Sequence, residues 1–363
     1  MTKVVAIVPA HNEADQIAQT LLSLKRQSVA PDRMVVAADN CSDLTADIAR
    51  SFNGVEVVET VDNQHKKAGA LNQALSQVLP TLDADDLVLV MDADTVLAPD
   101  FVKTAREVIA SDNEIGAVGG IFYGDSPSGF LELAQSNEYV RYARELKRTG
   151  RVMVLTGTAT IFRVKALDQI PASRGIDLPG NPGDVYDRDA LTEDMEITVA
   201  LKSLGWKLES PEECMTRTEL MPTFSALHKQ RVRWYRGAIE NLREYGVTKV
   251  TARYWGQQVM IAIGTVLMSL CIVLMVLDAA FGLIAFNPLW ASVGLIFWLE
   301  RVVTAWKAGR RGKLLAALYV PEIFYDLILQ RAFVVALWSS LSNREAAWHH
   351  HNNPTERYSI SHV

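Results

Sequence analysis

The chain has 363 residues, 49% hydrophobic and 21% charged, with a net charge of −6. That is enough for one large domain of about 250 residues plus a further part. It excludes disorder, a collagen-like chain and a whole-protein basic footprint for nucleic acid. Three widely spaced cysteines, Cys41, Cys214 and Cys271, exclude a disulfide scaffold or a cysteine-rich zinc module and suit a reducing compartment.

The first 125 residues alternate short apolar runs with helical stretches. Residues 4–8 read as a buried strand with no basic-then-apolar leader ahead of it, so the N-terminal domain is expected to stay in the cytosol. An amphipathic helix at 15–26 follows, then a strand at 33–38, a helix at 44–51 and a strand at 55–58. A helix at 67–79 and a strand at 86–91 complete the series. This alternation predicts an α/β fold, a mostly parallel sheet with helices on both faces. Ligands of such sheets bind beyond the carboxyl ends of the strands. His11, Asn12 and Glu13 follow the first strand, Asp39 and Asn40 the second, and Asp92 and Asp94 the fourth. A nucleotide-type site is expected there.

Two carboxylates at i and i+2 after a strand, Asp92 and Asp94, can share a hard divalent cation that neutralises a diphosphate. The alternative is an acidic loop that caps the next helix. Thr192, Glu193 and Asp194 precede a helix-like run ended by Gly205. Thr as N-cap with carboxylates in the first turn is one reading. A general base at a helix start is the other. Gln230, Arg231, Arg233 and Trp234 lie in a basic, aromatic helix at 225–243. It suits a membrane surface, with snorkelling arginines. Arginine forks also match phosphate oxygens, and tryptophan offers a flat face to a sugar.

Toward the end, residues 259–277 carry no charge and approach the roughly 20 residues needed to span a bilayer. Residues 289–306 are a second apolar run, with Glu300 and Arg301 toward its inner end. Lys307, Arg310, Arg311 and Lys313 form a basic loop, which the positive-inside rule assigns to the cytosol. Two spans within 257–308 are therefore expected to return the chain to its starting side. Residues 314–341 are apolar but hold Glu322, Asp326 and Arg331. A central charge costs about 2.5–3.5 kcal/mol on insertion scales. Interfacial or re-entrant helices at 309–345 are therefore expected, with a third span as the alternative.

Taken in order, Val8-Pro9-Ala10-His11-Asn12-Glu13, Asp39, Lys67-Ala68-Gly69-Ala70-Leu71-Asn72, Asp92 with Asp94, Thr156-Gly157-Thr158, Asp194 and the QxxRW set from Gln230 to Trp234 resemble the membrane-integrated family 2 glycosyltransferases. That group includes hyaluronan, chitin, cellulose and poly-N-acetylglucosamine synthases. The resemblance implies a GT-A catalytic domain at 1–222 and an interfacial helix at 223–256. Pro9, His11, Glu13, Asp39, Lys67, Asp92, Arg231 and Arg233 would then meet a nucleotide sugar, with Asp94 and Asp92 on Mn²⁺ or Mg²⁺. Asp194 would be the catalytic base. Gly157, Thr192, Glu193, Gln230 and Trp234 would face the acceptor.

The implied activity is inverting transfer from a UDP-hexose or UDP-N-acetylhexosamine to an acceptor hydroxyl, with a β-glycosidic product and extension of a polysaccharide. The short membrane part favours an alternative, addition of one or a few sugars to a lipid or protein acceptor. A silent nucleotide-sugar-binding module is a third reading, opposed by the retained aspartates and QxxRW set. The implied partners are the sugar donor, a glycan, lipid or protein acceptor and the lipid bilayer, with no nucleic acid. The implied location is the cell membrane, crossed more than once. A channel for a growing polymer would need a homo-oligomer, because two spans are too few to enclose a sugar chain. In the tail, 346–363, Trp348 and Pro354-Thr355-Glu356-Arg357 faintly resemble a gating segment.

Overall fold

The computed structural model describes residues 2–282 and 288–342. Its first elements are β1 (Val4–Ala10), α1 (Ile17–Lys25), β2 (Arg33–Ala38), α2 (Thr45–Ser51), β3 (Val55–Glu59), α3 (Lys66–Val78) and β4 (Leu87–Met91). Then come β5 (Val96–Leu97), α4 (Phe101–Ser111), β6 (Ile115–Gly119), β7 (Ile121–Gly124), α5 (Phe130–Thr149), β8 (Ala159–Arg163) and α6 (Val164–Ser173). The rest of the domain is α7 (Glu193–Ser203), β9 (Lys207–Glu209), β10 (Met215–Thr218) and α8 (Phe224–Tyr245).

The main sheet has the order β3-β2-β1-β4-β8-β6-β9. Strands β1 to β4 run parallel, and β9 is parallel to β6. Only β8 is reversed, between β4 and β6. Every residue of β1 and β4 is buried, because a parallel sheet covered on both faces offers no solvated side. Along β1, Val5 and Ile7 pack with Leu71, Leu75 and Ile170 on one face. Val4, Ala6 and Val8 join Leu21, Phe101 and Ile109 on the other, as the two-residue period of a strand requires. A small second sheet, β5-β10-β7, closes the end nearer α5.

Helix α8 starts where Thr223 Oγ1 accepts from the Ala226 N–H at 3.2 Å, an N-cap that satisfies an otherwise orphaned donor. Beyond it lie α9 (Ala252–Ala280), α10 (Pro288–Thr304), α11 (Gly309–Leu318) and α12 (Val320–Leu341). Among the described residues, α9 is the one helix long and apolar enough to cross a membrane. The expected second span forms α10, with 17 residues among those described, at the lower end of the range of about 17–25 for a span. Of the expected pair, one helix has the dimensions of a span among the described residues.

The ambiguous stretch breaks into α11 and α12 at Tyr319, whose φ is +58°. Helix α12 lies along α8: the Tyr235 and Phe333 rings meet edge to face at 5.4 Å, and Arg243 donates to the Ser340 carbonyl at 3.1 Å. Its acids are turned to protein. Glu322, 1% exposed, accepts from Arg141 at 2.8 Å and from Asn137 at 2.9 Å, while Asp326 pairs with Arg301 at 2.5 Å. Arg301 therefore meets α12 more closely than its neighbour Glu300, which is 3.8 Å away. The tail residues Trp348 and 354–357 lie outside the described residues.

Candidate functional site

The sheet delivers its polar residues at the carboxyl ends of β1, β2 and β4. Asn12 and Asn40 there adopt φ of +56° and +47°, left-handed turns that asparagine tolerates better than most residues. His11 Nδ1 lies 2.6 Å from the Asp39 carbonyl. Buried Asp39 is held in place by its own Oδ1, which accepts from Asn63 at 2.7 Å and Thr60 at 2.8 Å.

The charged centre forms where α3, β4 and α7 meet. Lys67 Nζ lies 2.6 Å from Asp92 Oδ1 and 2.6 Å from Glu193 Oε1. Burial works against its charge, yet the two carboxylates hold it well above the ordinary lysine range. Gly157 occupies the middle. A Cβ there would sit 3.0 Å from Lys67 Nζ, 3.4 Å from Asp92 Oδ2 and 3.7 Å from Asp194 Oδ2, so the missing side chain leaves the carboxylates accessible. Burial and the neighbouring Glu193 push Asp194 up to about 6.

Asp92 and Asp94 lie between β4 and β5, well short of α4, so they do not cap the next helix. Burial and Asp92 raise Asp94 to about 7, and burial, Asp94 and Asp92 raise Glu13 to about 8. This crowding of negative charge is what a divalent cation relieves. Among the described residues no three His, Cys, Asp or Glu side chains cluster into a complete cage. Two carboxylates, with substrate phosphates for the rest, are the usual set for a cation beside a nucleotide. The donor set fits.

Thr192 stands at the N-cap position of α7 with Glu193, Asp194 and Glu196 in the first turn, as the cap reading expects, but its side chain makes no capping bond. Instead Asn241 Nδ2 donates to Thr192 Oγ1 at 3.2 Å and to its carbonyl at 3.1 Å. This close approach of α8 depends on Gly237, where a Cβ would meet Thr192 Oγ1 at 2.5 Å and Cγ2 at 2.7 Å. Gly237→Ala is expected to cost about 1–3 kcal/mol by overpacking, read as a lowered melting midpoint. Adding Thr192→Ala, which deletes both clashing atoms, should recover part of that loss.

The two arginines of the QxxRW set divide. The charge of Arg233 bears on Asp92, Glu193 and Asp194. Arg231 is placed differently from expectation. It is 3% exposed, pairs with Glu138 at 2.8 Å and lies 4.2 Å from the Trp234 ring centroid. Burial without water favours spending that charge on Glu138 and the ring.

Every residue to which the resemblance gave a role lines one cavity of about 1250 Å³, which also takes in Glu138, Tyr139, Tyr142, Glu219, Arg188 and His228. None of these latter residues was anticipated. Glu138 and Tyr142 share an α5 face at i, i+4 spacing, the only local signal available.

The family profile described as "Glycosyltransferase like family 2" matches residues 2–237. A poly-β-1,6-N-acetyl-D-glucosamine synthase of Staphylococcus aureus is 27% identical over 256 residues, covering 68% of this chain and 58% of that protein. The Staphylococcus epidermidis synthase of the same name is 26% identical over 242 residues, covering 65% and 54%. This chain therefore spans little more than half the length of those relatives. Among solved structures, a mannosyltransferase from Pyrobaculum calidifontis, in complex with GDP-Man and Mn²⁺, superposes with a TM-score of 0.64. The identity is 18%, with 94% of this chain and 88% of that one covered, which places the α/β fold.

Proposed function

The chain belongs to glycosyltransferase family 2, and from that premise we propose that it is a membrane-bound, inverting transferase. It would move a sugar from a nucleoside diphosphate sugar to an acceptor hydroxyl. The observation that carries this reading is the meeting of Lys67, Asp92 and Asp194 around Gly157, where no side chain blocks the approach. The similarity to poly-N-acetylglucosamine synthases supports chain extension as the use to which the transfer is put.

In this reading the base and ribose lie against Pro9, His11, Glu13 and Asp39 at the ends of β1 and β2. Asp94 and Asp92 would hold Mn²⁺ or Mg²⁺; when bound, such a cation neutralises the leaving diphosphate. Arg233 adds positive charge on the same side. Lys67 holds Asp92 and Glu193 in place and opposes the upward push of burial on both carboxyls. Asp194 takes the proton of the acceptor hydroxyl as that oxygen attacks the anomeric carbon from the face opposite the diphosphate, which inverts the configuration. Thr192, Glu193, Gln230 and Trp234 surround the acceptor, with Arg231 and Glu138 fixing the Trp234 ring.

The test is nucleotide release by the purified full chain from a panel of UDP- and GDP-sugars with Mn²⁺. Release from one donor would identify it; calorimetric titration showing no UDP or GDP binding would sink the reading. Chelation should lower release by at least about 10²-fold, since a cation at a phosphate is worth several kcal/mol. Asp94→Asn should make nucleotide binding indifferent to Mn²⁺, which titrations with and without the ion would check.

A further inference from the structure

The cavity does not end at the acceptor side of the charged centre. It continues past α8 to Gln257, Gln258 and Ile261 in the first turns of α9, and to Val335 and Ser339 near the end of α12. Its volume exceeds the roughly 300–1,000 Å³ of ordinary small-molecule sites. Four buried polar atoms along it have no hydrogen-bond partner among the described residues: His228 Nδ1, Gln230 Oε1, Arg231 Nε and Gln258 Oε1. Buried groups left unpaired are costly, and native structures satisfy nearly all of them.

Two of those four atoms are amide carbonyl oxygens, which only accept hydrogen bonds, and Arg231 Nε only donates. Hydroxyl groups, which both donate and accept, meet all of them, whereas phosphate oxygens would leave the two amide oxygens unpaired. Gln258 lies one position before the charge-free stretch of α9, where a membrane surface would begin with α9 as a span. The outer flanks of the opening are apolar and exposed, with Val259 and Met260 on α9 and Val334 and Trp338 on α12. A water-soluble acceptor would gain nothing from an opening placed there. An amphiphile could put its headgroup among the glutamines and its chains against those flanks.

We propose that the acceptor of the first sugar, on which any chain extension would build, is a membrane lipid with a hydroxylated, uncharged headgroup, which enters sideways between α9 and α12. The inference rests on the transferase reading above. A headgroup oxygen forms the bond to the anomeric carbon and the bond from that carbon to the nucleoside diphosphate breaks. The hydroxyl proton passes to Asp194, and the products are a glycosylated lipid and a nucleoside diphosphate.

The experiment uses the full chain in phosphatidylcholine vesicles that contain diacylglycerol and mono- and diglucosyl diacylglycerol. Radiolabelled UDP- and GDP-sugars are supplied with Mn²⁺, and products are split between organic and aqueous phases. The expected result is label in the organic phase in step with nucleotide release. Ile261→Trp, which narrows the opening, should lower lipid label per nucleotide released about tenfold. Val335→Trp, on the opposite wall, should do the same and covers the case in which the first variant fails to fold. Release with label only in free sugar or lipid-free polymer overturns the lipid acceptor and leaves the transferase standing. Lipid label that both folded variants leave unchanged overturns the entry route. Failure of every donor to release nucleotide overturns the transferase itself, and this inference with it.

Discussion

Asp194→Asn should lower the transfer rate by about 10²–10⁴-fold, the usual worth of a positioned general base, and leave nucleotide affinity nearly unchanged. The substitution keeps the shape. Asp194 Oδ1 accepts from the Met195 N–H at 2.8 Å, and an amide oxygen can keep that bond. What it removes is the ability to take a proton from the acceptor hydroxyl. Burial and Glu193 hold Asp194 up at about 6, so the wild-type chain is ionised at neutral pH and loses its base as the pH falls through about 6. The acid limb of kcat/KM should lie there and vanish in the variant. Nucleotide release against pH and calorimetric titration with the donor nucleotide check both points. Activity that survives the change would move the base elsewhere, and weakened nucleotide binding would mean that Asp194 serves the donor.

The two-carboxylate loop was legible because β4 reads as an unbroken apolar run and the acids follow it directly. A parallel sheet buried on both faces writes its strands in this way, and the same signal exposed β1 and β2. Beyond residue 125 that signal fades. Strand β8 reverses direction and inserts between β4 and β6, an order no local pattern encodes. The partner of Arg231 was equally hidden. Glu138 lies 93 positions away in sequence, on a helix whose own periodicity says only that one face is buried. The acids of α12 looked like the expense of a membrane span until Arg141 and Arg301 were seen against them. Spacing along the chain locates groups that chemistry needs close to a strand end. It is silent about charges that meet only after helices dock.

The largest stability effect should come from one such hidden pair. Arg174 and Glu196 are both fully buried and joined by two bonds, 2.5 Å from Nη1 to Oε1 and 2.8 Å from Nη2 to Oε2. Arg174 also donates to the carbonyls of Pro179 at 2.9 Å and Val185 at 2.7 Å, and Tyr245 donates to Glu196 at 2.5 Å. This network ties the loop after α6 to the first turns of α7 and to the end of α8. The same loop is pinned by Asn72, whose Oδ1 accepts from Tyr186 at 2.9 Å, so it bears directly on the segment leading to Asp194. Arg174→Ala would strand the Glu196 carboxylate in the core and is expected to destabilise by about 3–5 kcal/mol, the cost of breaking a buried pair from one side. Replacing both, with Arg174→Met and Glu196→Leu, should recover much of the stability, since the desolvation cost of both ions disappears. Denaturant titration of the three proteins, read against nucleotide release, separates the two consequences. If the double variant is stable yet slow, the pair positions Asp194; if it is stable and fully active, the pair serves the fold alone.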